Sequence, residues 1–212
     1  MEELNGQALN PWVSIWTKPR ATIQQIVNTD PERLVLLLAA IAGAIRVLDR
    51  ASAKDLGDKI DWSVIFLIAA IAGPVGGIIS LYIGGALIRW TGTCIGGMAP
   101  AQHIRAAMAW SSVPVIWVSV VWIPELALFG REMFTSKMPS LDANPSLGLA
   151  LFGFAAIEVI GGIWAGIVFL KCLGQVQGFS AWKALGNAIL AGLVIAVPIV
   201  AIVIAVVVLS IL

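Results

Sequence analysis

The chain has 212 residues, 59% of them hydrophobic and 12% charged, against about 45–50% apolar and about 25% charged in a soluble domain. Thirteen basic residues nearly cancel twelve acidic ones, which excludes a strongly charged partner such as nucleic acid. A large soluble catalytic domain and a disordered chain are excluded by the same arithmetic, and an all-α, polytopic membrane protein remains.

A bilayer core is about 30 Å thick and takes about 20 helical residues to cross. Met1 to Asp30 lack the basic–apolar–small order of a secretory signal. Within them, residues 10–28 read as a short interfacial helix. Trp12 and Trp16 are four apart on one helical face, Val13 and Ile15 widen it, and Lys18 and Arg20 follow at headgroup level. Aromatic rings favour the membrane–water boundary, and an amphipathic helix lies in it; packing on the bundle is the alternative. Span one covers about residues 32–49, with Asp30 as cap and Pro31 in its first turn. Span two covers about 62–90 and holds no charge before Arg89; spans three, four and five cover about 104–130, 147–171 and 182–212. Pro74, Pro114, Pro124 and Pro198 are the candidate kinks. The runs do not alternate in steps of about 10 residues, which excludes a transmembrane barrel. The loops at 49–61 and 130–146 are too short to fold alone, so the whole of 1–212 is one membrane domain.

Five spans put the chain ends on opposite sides. Lys18, Arg20, Arg33, Arg89, Arg105, Lys171 and Lys183 then face Arg46, Arg50, Lys54, Lys59, Arg131 and Lys137 across the bilayer. That balance is too even for the positive-inside rule to orient the chain. Shifting the sequence by 78 residues superimposes Gly84 on Gly162, Cys94 on Cys172, Gly96 on Gly174 and Ala106 on Ala184. This suggests that spans two–three and four–five are parallel hairpin repeats.

Asn10 to Val27, NPWVSIWTKPRATIQQIV, resembles the opening of prokaryotic members of the Yip family, named for the Ypt/Rab-interacting proteins. The carriers of the resemblance are the N-P-W at Asn10–Trp12, the aromatic Trp16, the basic-Pro-Arg at Lys18–Arg20 and the amphipathic stretch before span one. The loop around Gly96 and Gly97 and the five-span layout extend it. The resemblance implies a cell-membrane protein (plasma or inner membrane) with a cytosolic N-terminus and no enzymatic activity. Its partners would be the lipid bilayer and either further copies of itself or other membrane proteins.

Few residues carry chemistry. Glu158 lies about 16 Å into span four at 1.5 Å per residue, with Gly162 and Gly166 one and two turns on. Ionisable groups at such depth default to a functional reading, here an ion or proton site. Arg46 of span one is the expected partner of Glu158, with a packing salt bridge or a snorkelling Arg46 as the plainer readings. Glu125, after Pro124, completes the candidate ion site, though a solvated helix end close to the interface is the favoured reading. Gly73, Gly76 and Gly77, with Gly162 and Gly166, are the expected helix-packing positions. His103 is isolated in a loop, and the two cysteines with it are too few for a metal cluster. The chain contains no catalytic triad, phosphate loop or H-E-x-x-H. No cofactor and no catalytic residue are therefore expected. Two functions remain: a non-catalytic organiser of membrane or protein partners, and a small ion or proton-coupled transporter built on Glu158.

Overall fold

The computed structural model describes residues 8–211, all of whose regular elements are helical. Residues 1–7 and the last residue of the expected fifth span, Leu212, lie outside the described residues. The head forms two short helices, α1 (Pro11–Thr17) and α2 (Pro19–Thr29). Each has proline in its first turn, where the missing N–H costs nothing, and Asn10 caps α1 by accepting from the Trp12 N–H. Helix α3 (Val35–Ala53) starts later than expected. The Asp30 carboxylate does cap, but it closes a turn on the Glu32 N–H at 3.1 Å. The helix itself begins only after Leu34, which is left-handed at φ 57°.

Three long helical stretches follow the second half of the expectation closely. They are α4 (Trp62–Cys94), α9 (Ser146–Gln177) and α10 (Ala181–Ile211). The third expected span is broken into α5 (Ala101–Trp110), α6 (Val113–Val118) and α7 (Trp122–Phe129). A proline ring clashes with the carbonyl four residues back; for Pro114 that is Trp110, where α5 stops, and for Pro124 it is Val120, inside the 3₁₀ turn Ser119–Val121. Ser111, Ser112 and Ser119 turn their hydroxyls onto carbonyls of the preceding turn at 2.6–2.8 Å, which loosens the ladder further. Pro74 and Pro198, by contrast, sit inside continuous helices. A short helix, α8 (Pro139–Ala143), occupies the loop before α9.

Four stretches are long and apolar enough to cross a membrane: Trp62–Cys94, Ala101–Phe134, Ser146–Gln177 and Ala181–Ile204. This is a multi-pass membrane protein. Helix α3 falls outside that set because Arg46, Asp49 and Arg50 crowd its 19 residues.

The closest helix crossing joins α3 to α4. A Cβ on Gly77 would lie 2.9 Å from the Gly43 Cα, and one on Gly73 would lie 2.6 Å from the Ala44 Cα. Glycine on both helices lets the backbones touch, where packing, not hydrophobicity, drives association. Gly73 and Gly77 are thus packing residues as expected, whereas Gly76 has nothing within 4 Å of its Cβ position. Gly162 and Gly166 are equally open, and it is Gly161 that meets Val118 of α6. The α9 contact runs one residue off the expected row, about 100° round the helix.

Both hairpin turns close with the same C-terminal motif. Gly96 (φ 87°) and Gly178 (φ 73°) are left-handed; the next N–H reaches back to Gly92 at 2.7 Å in one and to Gly174 at 2.6 Å in the other. These turns are offset by 82 residues, one helical turn more than the ungapped 78. At the 78-residue register an exposed helix-end Cys94 would overlie Cys172, which is buried within α9.

Candidate functional site

A cavity of about 420 Å³ opens between the end of α3, the broken helix α6–α7 and the middle of α9. Its polar wall carries Asp49 and Ser52 from α3, Ser119 and Trp122 from the broken helix, and Glu158 from α9. The kink after Trp110 and the 3₁₀ turn at Ser119 re-aim this helix so that Trp122 reaches the cavity. Glu125, one turn beyond, is buried at 3% exposure. Glu125 lies in the field of Glu158 and Asp49, and Glu158 in that of Asp49. The Trp122 indole lies beside the Glu158 carboxylate in the cavity wall. Asp49 therefore joins the two expected carboxylates, Glu158 and Glu125, within one electrostatic neighbourhood.

Arg46 is not among them. Its side chain lines a separate cleft between α3, α4 and α5 with Ser80, Met108 and Ser112, and its electrostatic neighbour is Asp49, three residues on. The only ion pair among the described residues joins Arg105 to Glu32 at 2.6 Å. The expected Arg46–Glu158 pair is thus corrected by helix phase: Ile45 lines the cavity, whereas Arg46, one residue on and about 100° round α3, lines the α4–α5 cleft. An open, carboxylate-lined cavity can hold a cation or share a proton. The two serine hydroxyls in the same wall are already engaged, Ser52 donating to Met133 O at 2.7 Å and Ser119 to Ile116 O at 2.8 Å.

A family model described as the Yip1 domain matches residues 13–209, nearly the whole chain. The chain belongs to the Yip1 domain family. Comparison with curated proteins and with solved structures gives no match.

In this Yip1 domain the head is part of the bundle. Ile15, Pro19, Thr22, Ile23, Ile26 and Val27 are buried, and Trp12 meets Trp110 edge-on at 5.6 Å. The Trp164 indole donates to the Trp16 carbonyl at 3.2 Å, and the Gln25 amide ties both ways to Leu9 at 2.8 and 2.9 Å. Trp12 and Trp16 therefore share a face, as their spacing requires, and that face is half-buried against protein. Val13 and Ile15 do not widen it together: two residues apart, they point to opposite sides, with Val13 exposed and Ile15 fully buried. Lys18 and Arg20 are exposed.

Asp49 was missed because its position reads as the first loop residue, whereas α3 continues to Ala53. A buried polar network at the opposite end was missed as well. Thr91 donates to the Asn187 carbonyl oxygen at 2.6 Å, and the Asn187 amide donates to Ile88 O at 3.2 Å. Gln177, 3% exposed, accepts from the Ala99 N–H at 3.4 Å. These uncharged amides join α4, α9 and α10 behind the two glycine turns. Their only signal in the sequence is an amide inside an apolar run.

Proposed function

We propose that this Yip1 domain is a non-catalytic organiser that brings membrane partners together, spans the cell membrane five times, and keeps its head on the cytosolic side. The observation that carries the organising role is the distal half of α10. Leu193, Val194, Ile195, Val197, Ile199, Val200 and Ile202 to Ile204 are exposed around the whole circumference. A helix apolar on every side sits in lipid or against further helices, and in lipid close packing rather than hydrophobicity selects the neighbour. The proposed partners are other membrane helices, a second copy included.

Two contacts support α3 as the fifth span. Glu32 before α3 pairs with Arg105 at the start of the broken helix, and Ser52 near the end of α3 donates to Met133 O, at the end of that helix, at 2.7 Å. The two run side by side over the same thickness, about 28 Å for 19 residues. The test uses an impermeant maleimide on intact cells expressing Lys18→Cys or Lys137→Cys in a Cys94→Ser background. Lys137→Cys is expected to react from outside and Lys18→Cys only after lysis. The reverse pattern overturns the orientation, and equal reactivity from one side overturns the five-span count. Ile199→Cys is expected to crosslink to a second polypeptide in membranes. Monomer at every position from Leu193 to Ile204 overturns the organising role.

A further inference from the structure

We infer that the groove between α4 and α5 binds the phosphate of an anionic lipid. The groove encloses about 430 Å³ and is lined by Tyr82, Arg89, Trp90 and Arg105, with Ala101 at one end and Gly85 on its floor. It is built rather than accidental. Gly85 has no side chain, so the Arg105 stem lies directly over α4; a Cβ there would meet the Arg105 Cγ at 3.4 Å. The Arg105 guanidinium is held over the Tyr82 ring at 4.9 Å and tethered to Glu32 at 2.6 Å, while its Nε has no hydrogen-bond partner. A pre-positioned guanidinium loses less freedom when it meets a phosphate oxygen. Arg89, one turn before the end of α4, is exposed and forms no ion pair among the described residues.

The groove also receives the start of α5. Its N-cap is Pro100, which offers no side-chain acceptor to the first-turn amides, so the positive end of the helix faces the groove uncapped. Two guanidiniums and a helix N-terminus stand against one carboxylate, Glu32, leaving the groove cationic. Its other wall is apolar and open: Tyr82 and Trp90, which line it, are exposed, and Tyr82 lies two turns below Arg89. This polarity matches a phospholipid, with the phosphate at Arg89 and Arg105 and an acyl chain leaving along Tyr82 past the exposed Ile83 beside the groove. A free anion would use only the first half. Basic pockets between membrane helices are a known way to hold anionic lipid.

The inference needs α4 in the bilayer and is independent of the organising role. The test is thermal unfolding of the purified full chain in a neutral detergent with added dioctanoyl phosphatidylglycerol, dioctanoyl phosphatidylcholine or inorganic phosphate. The phosphatidylglycerol is expected to raise the Tm saturably, and the other two are not. Arg89→Gln should weaken the phosphatidylglycerol response about fivefold, one basic residue's worth. Its Tm without lipid should stay unchanged because Arg89 is exposed and makes no side-chain hydrogen bond or ion pair among the described residues. Lys54→Gln, at the far end of the molecule, should respond as wild type. Equal responses to both lipids, or an Arg89→Gln response like wild type, overturn the site. A full response to inorganic phosphate alone overturns the lipid and leaves a free-anion site.

Discussion

At the residue scale, the clearest electrostatic event outside the membrane is the cap of α4. The Asp61 carboxylate accepts from the Ser63 hydroxyl at 2.6 Å and from the Ser63 N–H at 2.9 Å. The Ser63 hydroxyl and then the backbone N–H hold its pKa below the ordinary 3.8. Because the folded pKa is the lower one, the cap's contribution is complete above about pH 4 and is lost as pH falls through the folded value. The protection factors of the amides in the first turn of α4, taken relative to intrinsic exchange at each pH, should therefore fall on acidification in the wild type, starting below pH 4. In Asp61→Asn, whose amide still caps but does not titrate, that fall should be absent. An acid step of the same size in Asp61→Asn would assign it to another group.

At the element scale, glycines with the same sequence context divide into two kinds. Gly77 is pressed against the α3 backbone, and Gly76 faces open space. Adding one methyl to Gly77 forces two rigid backbones apart, which typically costs about 1–3 kcal/mol. The same methyl on Gly76 meets nothing and favours the helix by up to about 1 kcal/mol. Thermal unfolding in detergent is expected to show Gly77→Ala below wild type and Gly76→Ala at or above it; a Gly76→Ala loss as large as that of Gly77→Ala would mean a neighbour covers that face. Both residues look alike in sequence, within one stretch of small residues. Only the position of α3 tells them apart. The prolines divide likewise: Pro114 and Pro124 break a helix already weakened by back-bonded serines, whereas Pro74 and Pro198 lie in runs rich in apolar residues with no such competitor.

At the scale of the whole molecule, the charges carried by the apolar helices form a pattern that no single helix contains. Arg46 faces the α4–α5 cleft and Glu158 the cavity, so they form no direct pair and couple only through Asp49, which lies in the field of both. In a double-mutant cycle, the losses of Arg46→Gln and Glu158→Gln are expected to add within about 1 kcal/mol. A coupling well above 1 kcal/mol would restore a direct pair. The polar Thr91–Asn187 and Gln177–Ala99 contacts close the opposite end, and the head covers α5 and α9 between them. Thr91, Asn187 and the Gln177 carbonyl oxygen make hydrogen bonds that lipid cannot supply, which is why these groups are buried where three helices meet.

The amino-acid sequence alone determined the class of protein, the family, the approximate bounds of the apolar helical segments, and the glycine turn around Gly96. All of these follow from local quantities: the length of apolar runs, proline geometry, capping chemistry and the left-handed freedom of glycine. It left undecided which face of each helix meets a neighbour. The rotation of α3 separates Arg46 from Glu158 and brings Asp49 to it. The phase of α9 puts Gly161, not Gly162, in contact, and the approach of α5 to α4 gathers Arg89, Arg105 and Tyr82 around one groove. In an apolar helix every face is equally suited to lipid, so hydrophobic periodicity carries no signal for orientation. That choice falls to close packing and a few polar contacts between segments far apart in the chain, and only the tertiary structure contains them.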